Sequence, residues 1–463
     1  MPHLLYVAVG FPPAAKSCAY RMRVVANVFA ELGWDVTVLT IDRRSWEREY
    51  GLDETLERLV DPRVRQVELP LARVDLDPDV RTYSWLRARH PARWLKLRRK
   101  LDTVAFPEPV FGSWRETLEK GAEAVHRERP VDLVVVSPAP YTTLAAAWHL
   151  HEQHGVPYVV DFRDAWSLDV MGETEHFPVD SRRGRWERKL VEHAIAVWAV
   201  NDPIAGYYRQ RYPAAASAVR VVRNGWDADI DTAATAGTPM DDAVPGEQRP
   251  ITVGYLGTAY LRYEHVAAIL EGWAAARTRE PLLAGARLVF RGHLGAGMAK
   301  GANALAELIA AAADDGVEYG GPVAKADVGG VYRQWDALLL AVPGGRYMTT
   351  GKVYEYLSTG LPIISSHERE HDTAAVLEGY PLWARCEGTS AEQMAEAFVR
   401  GARLVAQSGP QEREAARRFA GRYERRLQVE PVAREVTATI APELVPASTS
   451  GPAPLQPAGK GTP

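Results

Sequence analysis

Ala337-Leu338-Leu339-Leu340-Ala341-Val342 runs into Pro343-Gly344-Gly345-Arg346-Tyr347-Met348-Thr349-Thr350, then into Gly351-Lys352-Val353-Tyr354-Glu355-Tyr356-Leu357-Ser358-Thr359, and then into Gly360-Leu361-Pro362-Ile363-Ile364. Six apolar residues in succession read as a buried strand, and the glycine- and threonine-bearing stretch after them as a loop. Gly351 to Thr359 reads as a helix that Thr350 can cap and that Gly360 and Pro362 end. Leu361 to Ser365 is the next strand. A strand, a helix and a second strand in this order imply parallel pairing. The fold is therefore α/β, with ligands expected at the carboxyl ends of the strands.

The helix start suits a diphosphate. Free backbone amides and the positive end of the helix dipole attract phosphate, and Lys352 adds a full charge. Glu355 is three residues on and shares the face of Lys352, so its carboxylate can accept hydrogen bonds from ribose hydroxyls. An ordinary amphipathic helix with a surface Lys/Glu pair has the same spacing, and spacing alone leaves both readings open. No GxxxxGK[ST] run occurs, and no GxGxxG follows the first strand.

Working outward, the same unit recurs. Leu4 to Val9 is a strand, Tyr20 to Leu32 an amphipathic helix closed by Gly33, and Asp35-Val36-Thr37-Val38-Leu39-Thr40 a strand. Val131 to Ser137, Tyr141 to His154 and Val156 to Asp161 repeat it, and Val219 to Arg223 closes the set before the turn Asn224-Gly225. A second set starts at Ile251 to Gly257 and continues through Ala286 to Phe290 and Val317 to Tyr319. We expect a first domain over residues 1–226, a linker over 227–250, a second domain over 251–410, a helical segment over 411–440 packing back on the first domain, and a disordered tail over 441–463.

A chain of 463 residues with 46% hydrophobic and 25% charged content is globular and long enough for two domains. Its net charge of −4 argues against a nucleic-acid partner. Cys18 and Cys386 stand alone, so neither a disulfide framework nor a structural zinc site is expected, and a reducing cytoplasm fits. The first apolar run is read as a strand rather than a signal peptide, and no run is long enough to span a membrane.

In the first domain, Asp161-Phe162-Arg163-Asp164-Ala165-Trp166 directly follows a strand. Asp161, Arg163 and Asp164 are candidate catalytic groups, shaping an acceptor pocket with an acid near the attacking hydroxyl. Buried ion pairing that only holds the loop is the other reading.

Gly10-Phe11-Pro12-Pro13, Tyr20-Arg21 and Asp35 to Thr40, then Arg223-Asn224-Gly225-Trp226-Asp227, then Gly351 to Ile364 resemble, in this order, the signature runs of family 4 of the retaining glycosyltransferases. The resemblance spans about residues 4 to 425. It implies the GT-B fold, two facing Rossmann-like domains with an interdomain cleft, and transfer of a sugar from a nucleoside diphosphate sugar to an acceptor hydroxyl with retention of configuration. It further implies an acceptor side on the first domain, with Pro13, Lys16, Tyr20 and Arg21, and a donor side on the second. There Glu355 would bind ribose and Lys352 the phosphates, beside Gly344, Gly345, Thr350 and Gly351. No metal or other cofactor is expected.

The sequence departs from the family at three places. Tyr347 stands where a glutamate is common. Thr258 after Gly257, and Tyr263, stand where an arginine and a lysine often clamp the diphosphate, leaving Arg262 and Arg291 as candidate cations. Ala15-Lys16-Ser17 replaces a glycine pair. Two rival functions share the fold: a nucleotide-sugar epimerase, and a nucleotide-binding homologue without turnover. The acidic run Asp75-Leu76-Asp77-Pro78-Asp79 is read as a solvated connection, not a metal-binding donor loop. Arg87, Arg89, Arg93, Lys96, Arg98, Arg99 and Lys100 interleave with Trp85, Leu86, Trp94, Leu95 and Leu97. A helix of this kind can lie on an anionic bilayer, grip a phosphorylated acceptor, or be a solvated face. The expected place is the cytoplasm, with peripheral contact at the inner face of the membrane through residues 85–100.

Overall fold

A computed structural model of the chain describes all residues except 50, 72, 74–76, 78, 231–248, 259–260, 295–300, 324–326, 387 and 446–463. Most of the expected linker, the tail beyond residue 445, and Asp75, Leu76 and Pro78 lie outside the described residues. The chain forms two compact units. The first comprises Met1–Asp169, Thr174–Arg223 and the chain from Arg425 on; the second comprises Val170–Glu173 and Asn224–Glu424.

The first unit is built on strands β1 (His3–Val7), β2 (Asp35–Ile41), β3 (Arg65–Leu69), β4 (Leu133–Val136) and β5 (Tyr158–Phe162). A short antiparallel pair, β6 (Leu168–Asp169) with β7 (Thr174–Glu175), stands apart, and β8 (Ala196–Ala199) and β9 (Val219–Val221) complete the sheet. All seven strands of that sheet are parallel, in the order β3-β2-β1-β4-β5-β8-β9. β1, β4, β5 and β8 are buried along their whole length, which is why they read as unbroken apolar runs rather than alternating ones. The last helix, Arg425–Ile440, packs against helix Ser17–Glu31, and the Trp34 indole donates to Thr437 Oγ1 at 3.0 Å.

The second unit carries β10 (Thr252–Leu256), β11 (Arg287–Arg291), β12 (Val317–Tyr319), β13 (Ala337–Ala341), β14 (Ile363–Ser366) and β15 (Trp383–Arg385). They form one parallel sheet in the order β12-β11-β10-β13-β14-β15. Side chains alternate across it. Ala337, Leu339 and Ala341 enter the core under helices Tyr263–Arg279 and Ala391–Gln407, while Leu338, Leu340 and Val342 enter the core under Gly351–Thr359 and Pro410–Gly421. Each leucine so buried contributes about 1.5–3 kcal/mol.

In both sheets the chain steps outward through three strands, then returns to start again on the other side of the first. The reversal falls between β1 and β4 in one unit and between β10 and β13 in the other. The loops leaving these strands diverge there and open a crevice at the carboxyl edge.

The basic stretch breaks at His90–Pro91: Trp85–Arg89 ends at His90, and Pro91–Ala105 starts with the proline in its first turn, where no amide partner is needed. The helical stretch after residue 410 is two helices, Pro410–Gly421 in the second unit and Arg425–Ile440 in the first.

Candidate functional site

The crevice of the second unit gathers most of the residues singled out in its sequence. Thr350 caps helix Gly351–Thr359, its hydroxyl accepting from the Lys352 amide at 3.3 Å, and Gly360 ends the helix in the left-handed conformation. Val353, Tyr354, Tyr356 and Leu357 are buried, which leaves Lys352 and Glu355 together on the half-buried face.

Lys352 reaches across the sheet edge from the β13 side to the β10 side. Its Nζ donates to Tyr255 Oη at 2.6 Å and to the Thr258 carbonyl at 2.9 Å. Burial pushes the ammonium pKa down to about 7, against the pull of the Glu355 carboxylate. Gly257 makes the crossing possible: a Cβ there would stand 2.6 Å from Lys352 Cε, and its φ of +118° is foreign to other residues. Glu355 Oε1 accepts from Tyr332 Oη at 2.6 Å.

Of the two candidate cations, Arg262 is exposed at the start of helix Tyr263–Arg279, and its charge helps lower the pKa of His265. Burial is the larger cause and brings that imidazole to about 4. His265 Nε2 lies 2.7 Å from Ser366 Oγ at the end of β14. Arg291 is half-buried, with Nε donating to the Gly321 carbonyl at 3.2 Å.

The loop from Pro343 to Thr350 is held at both ends. Glu173 accepts from the Arg346 amide at 2.8 Å and would collide with any Cβ on Gly345, while the Thr349 hydroxyl donates to Asp372 Oδ2 at 2.5 Å. Asp372 opens a helix capped by His371 Nδ1, which accepts from the Thr373 amide at 3.1 Å; burial lowers the His371 pKa to about 4.

In the first unit, Asp161 is fully buried and its oxygens are engaged. Arg21 grips it through Nε, at 3.1 and 2.9 Å, and through Nη2 at 2.6 Å, and Ser137 Oγ donates to it at 2.8 Å. Arg21 Nη1 also donates to the carbonyls of Val222 and Arg223 at 2.9 and 3.1 Å. The pair thus joins helix Ser17–Glu31, β5 and the turn after β9. Asp161 and Arg21, expected as catalytic and acceptor-side groups, have the geometry of the other reading, ion pairing that holds loops. Neither presents a surface to a ligand, both being 0% exposed.

Arg163 is half-buried and Asp164 exposed just beyond them. Trp166 stacks on Tyr141 and on Phe106, with ring centroids 5.1 and 5.4 Å apart. Pro13 is buried, Tyr20 half-buried, and the Lys16 ammonium stands 5.7 Å from the Trp46 ring.

Tyr255, Tyr332, His265, Ser366, Asp372 and Glu173 escaped the sequence reading. Only Tyr255 carried a local signal, two residues before Gly257; the others meet the site through pairing of distant segments. Among the described residues, no group of three or more His, Cys, Asp or Glu is placed to hold a metal ion, and no helix is long and apolar enough to cross a membrane.

Residues 18–225 match the family described as glycosyl transferase 4-like domain. Comparison with curated proteins gave no significant match. Among solved structures the chain is similar to sucrose-phosphate synthase from Thermosynechococcus elongatus, with TM-score 0.61 and 17% identity over 95% of this chain and 100% of that one. It is also similar to a glycosyltransferase from Rickettsia africae, with TM-score 0.62 and 12% identity over 96% and 99%. A third is the Anabaena protein HepE in complex with UDP-glucose, with TM-score 0.59 and 13% identity over 94% and 99%. The chain thus has the GT-B fold.

Proposed function

We propose that the protein is a glycosyltransferase that moves a sugar from a nucleoside diphosphate sugar to an acceptor hydroxyl with retention of configuration. The observation that carries this reading is the capped helix Gly351–Thr359 at the β10/β13 crevice, with Lys352 and Glu355 on one face and Lys352 drawn over Gly257. The family match over residues 18–225 and the UDP-glucose bound to HepE support it.

In this reading the diphosphate lies at the positive end of the helix dipole, at the Gly351 amide, Lys352 neutralises it, and Glu355 accepts from the ribose hydroxyls. As the glycosidic bond breaks, negative charge grows on the departing phosphate. The protonated Lys352, the amide at Gly351, and Arg262 and Arg291 at the rim stabilise that charge without a metal ion. Gly344, Gly345 and Thr350 shape the loop facing the sugar. The acceptor binds the first unit, with Lys16, Tyr20, Arg163 and Asp164 as contacts and the Asp161–Arg21 pair as the frame beneath them. The enzyme works in the cytoplasm or at the inner face of its membrane.

The test is incubation with a panel of nucleotide sugars, with and without hydroxyl acceptors, followed by proton NMR of the anomeric centre. Sugar transferred only in the presence of acceptor, with the donor's anomeric configuration kept, is the expected result. A sugar epimerised in the absence of acceptor would make the protein an isomerase. K352A and E355A should each abolish most turnover, and near-normal rates in both would overturn the donor site.

A further inference from the structure

We propose that the helix pair Trp85–Arg89 and Pro91–Ala105 of the first unit is a docking surface for an anionic lipid bilayer. The inference stands on the geometry and charge of this pair and does not need the transferase reading.

From Arg81 to Leu101 the sequence has eight Lys and Arg residues and no Asp or Glu. The structure sorts them into two groups. Arg87 is spent on the fold: its guanidinium lies over Tyr83 and Trp94, 3.6 and 4.7 Å from the ring centroids. Arg98 pairs with the buried Asp102 at 3.2 Å, and Arg81 with Asp79 at 2.8 Å. Arg89, Arg93, Lys96, Arg99 and Lys100 have no carboxylate within ion-pair distance among the described residues. The next helix, Arg115–Glu128, treats its cations differently. Arg115, Lys120 and Arg127 each meet a glutamate one turn away, at 2.6, 2.6 and 2.9 Å. A face meant only for water has partners to hand in this protein; among the described residues the outward cations of helix Pro91–Ala105 have none.

The apolar side chains decide the kind of anion. Helix Pro91–Ala105 turns Trp94, Leu95, Arg98 and Asp102 inward. Leu97, Leu101 and Val104 lie outward, 48, 56 and 66% exposed, on successive turns of one row. Arg93, Lys96 and Lys100 border that row at helical spacing, and Trp85 on the preceding helix is 71% exposed. A nucleic acid or a soluble phosphate would engage the cations and gain nothing from three exposed aliphatic side chains. A bilayer of anionic lipid engages both, the cations at the headgroups and the row just beneath them. The helix of 15 residues is about 22 Å long, and its charge rules out a spanning orientation, so it lies in the plane of the interface.

The experiment is flotation of the full chain with vesicles of phosphatidylglycerol and phosphatidylcholine in equal parts, and with phosphatidylcholine alone. Circular dichroism of each variant checks the fold. Binding to the anionic vesicles and not to the neutral ones is expected. R93Q/K96Q/K100Q should weaken it about 100-fold, and L97S/L101S/V104S should weaken it with the salt dependence unchanged. Turnover on a water-soluble acceptor should stay at the wild-type rate in both, which separates failure here from failure of the transferase reading. No binding at low salt would overturn the proposal. So would wild-type affinity in the L97S/L101S/V104S variant, which would mark the surface as a site for a soluble polyanion.

Discussion

Raising the pH from 7 to 8.5 should weaken nucleotide-sugar binding through a single group, Lys352. Its ammonium loses hydration at the sheet edge, and its pKa falls to about 7. In the ligand-free protein it is then about half protonated at pH 7 and only about 3% protonated at pH 8.5. A diphosphate at hydrogen-bond distance demands the charged form. Proton uptake therefore accompanies binding and costs about 16-fold in affinity over this interval, or about 1.6 kcal/mol. A nucleotide sugar is the right probe, because its phosphates are diesters and carry no proton that titrates in this range.

Isothermal titration calorimetry in buffers of different ionisation enthalpy measures the effect directly. About half a proton should enter per nucleotide bound at pH 7, and nearly one at pH 8.5. K352M should bind more weakly at pH 7 and lose the slope. A flat affinity from pH 7 to 8.5 in the wild type, or an unchanged slope in K352M, would refute the reasoning.

Three other outcomes follow from the geometry. G257A should lower nucleotide affinity at least tenfold, because the new Cβ stands 2.6 Å from Lys352 Cε and φ is +118° there; calorimetry with the same nucleotide sugar checks it. D161N leaves a buried guanidinium without its charge partner, so denaturant unfolding of the full chain should show a loss of about 3–5 kcal/mol. His265 and His371 have native pKa values lowered to about 4, so between about pH 6.5 and 4 the unfolded chain binds protons that the native state refuses. Stability should fall as pH drops through that window, and less steeply in H265N, as read by thermal denaturation across the range.

The helix Gly351–Thr359 was legible because everything that defines it is local: a capping threonine, apolar residues at helical spacing and a glycine at its end. The strands were legible for the same reason. The order of strands was not, since nothing within β13 says that it lies beside β10. Without that order, Lys352 cannot be seen to meet Thr258, nor Glu355 to meet Tyr332. Asp161 shows the limit most clearly. A carboxylate after a strand reads equally as an acid at work or as an ion-pair partner, and the choice lies in Arg21, 140 residues earlier.

The return of the last helix, Arg425–Ile440, to the first unit has a consequence in time. Its Val429, Val432, Ala433 and Val436 belong to the same core as Leu4, Phe29 and Trp34. During synthesis the whole second unit is made before that core receives its final wall, so the part begun first is finished last. A chain released at residue 223 would carry a sheet with one flank of its core uncovered. Expressing residues 1–223 alone should give a sticky, unstable product, and supplying residues 425–445 as a separate peptide should restore it.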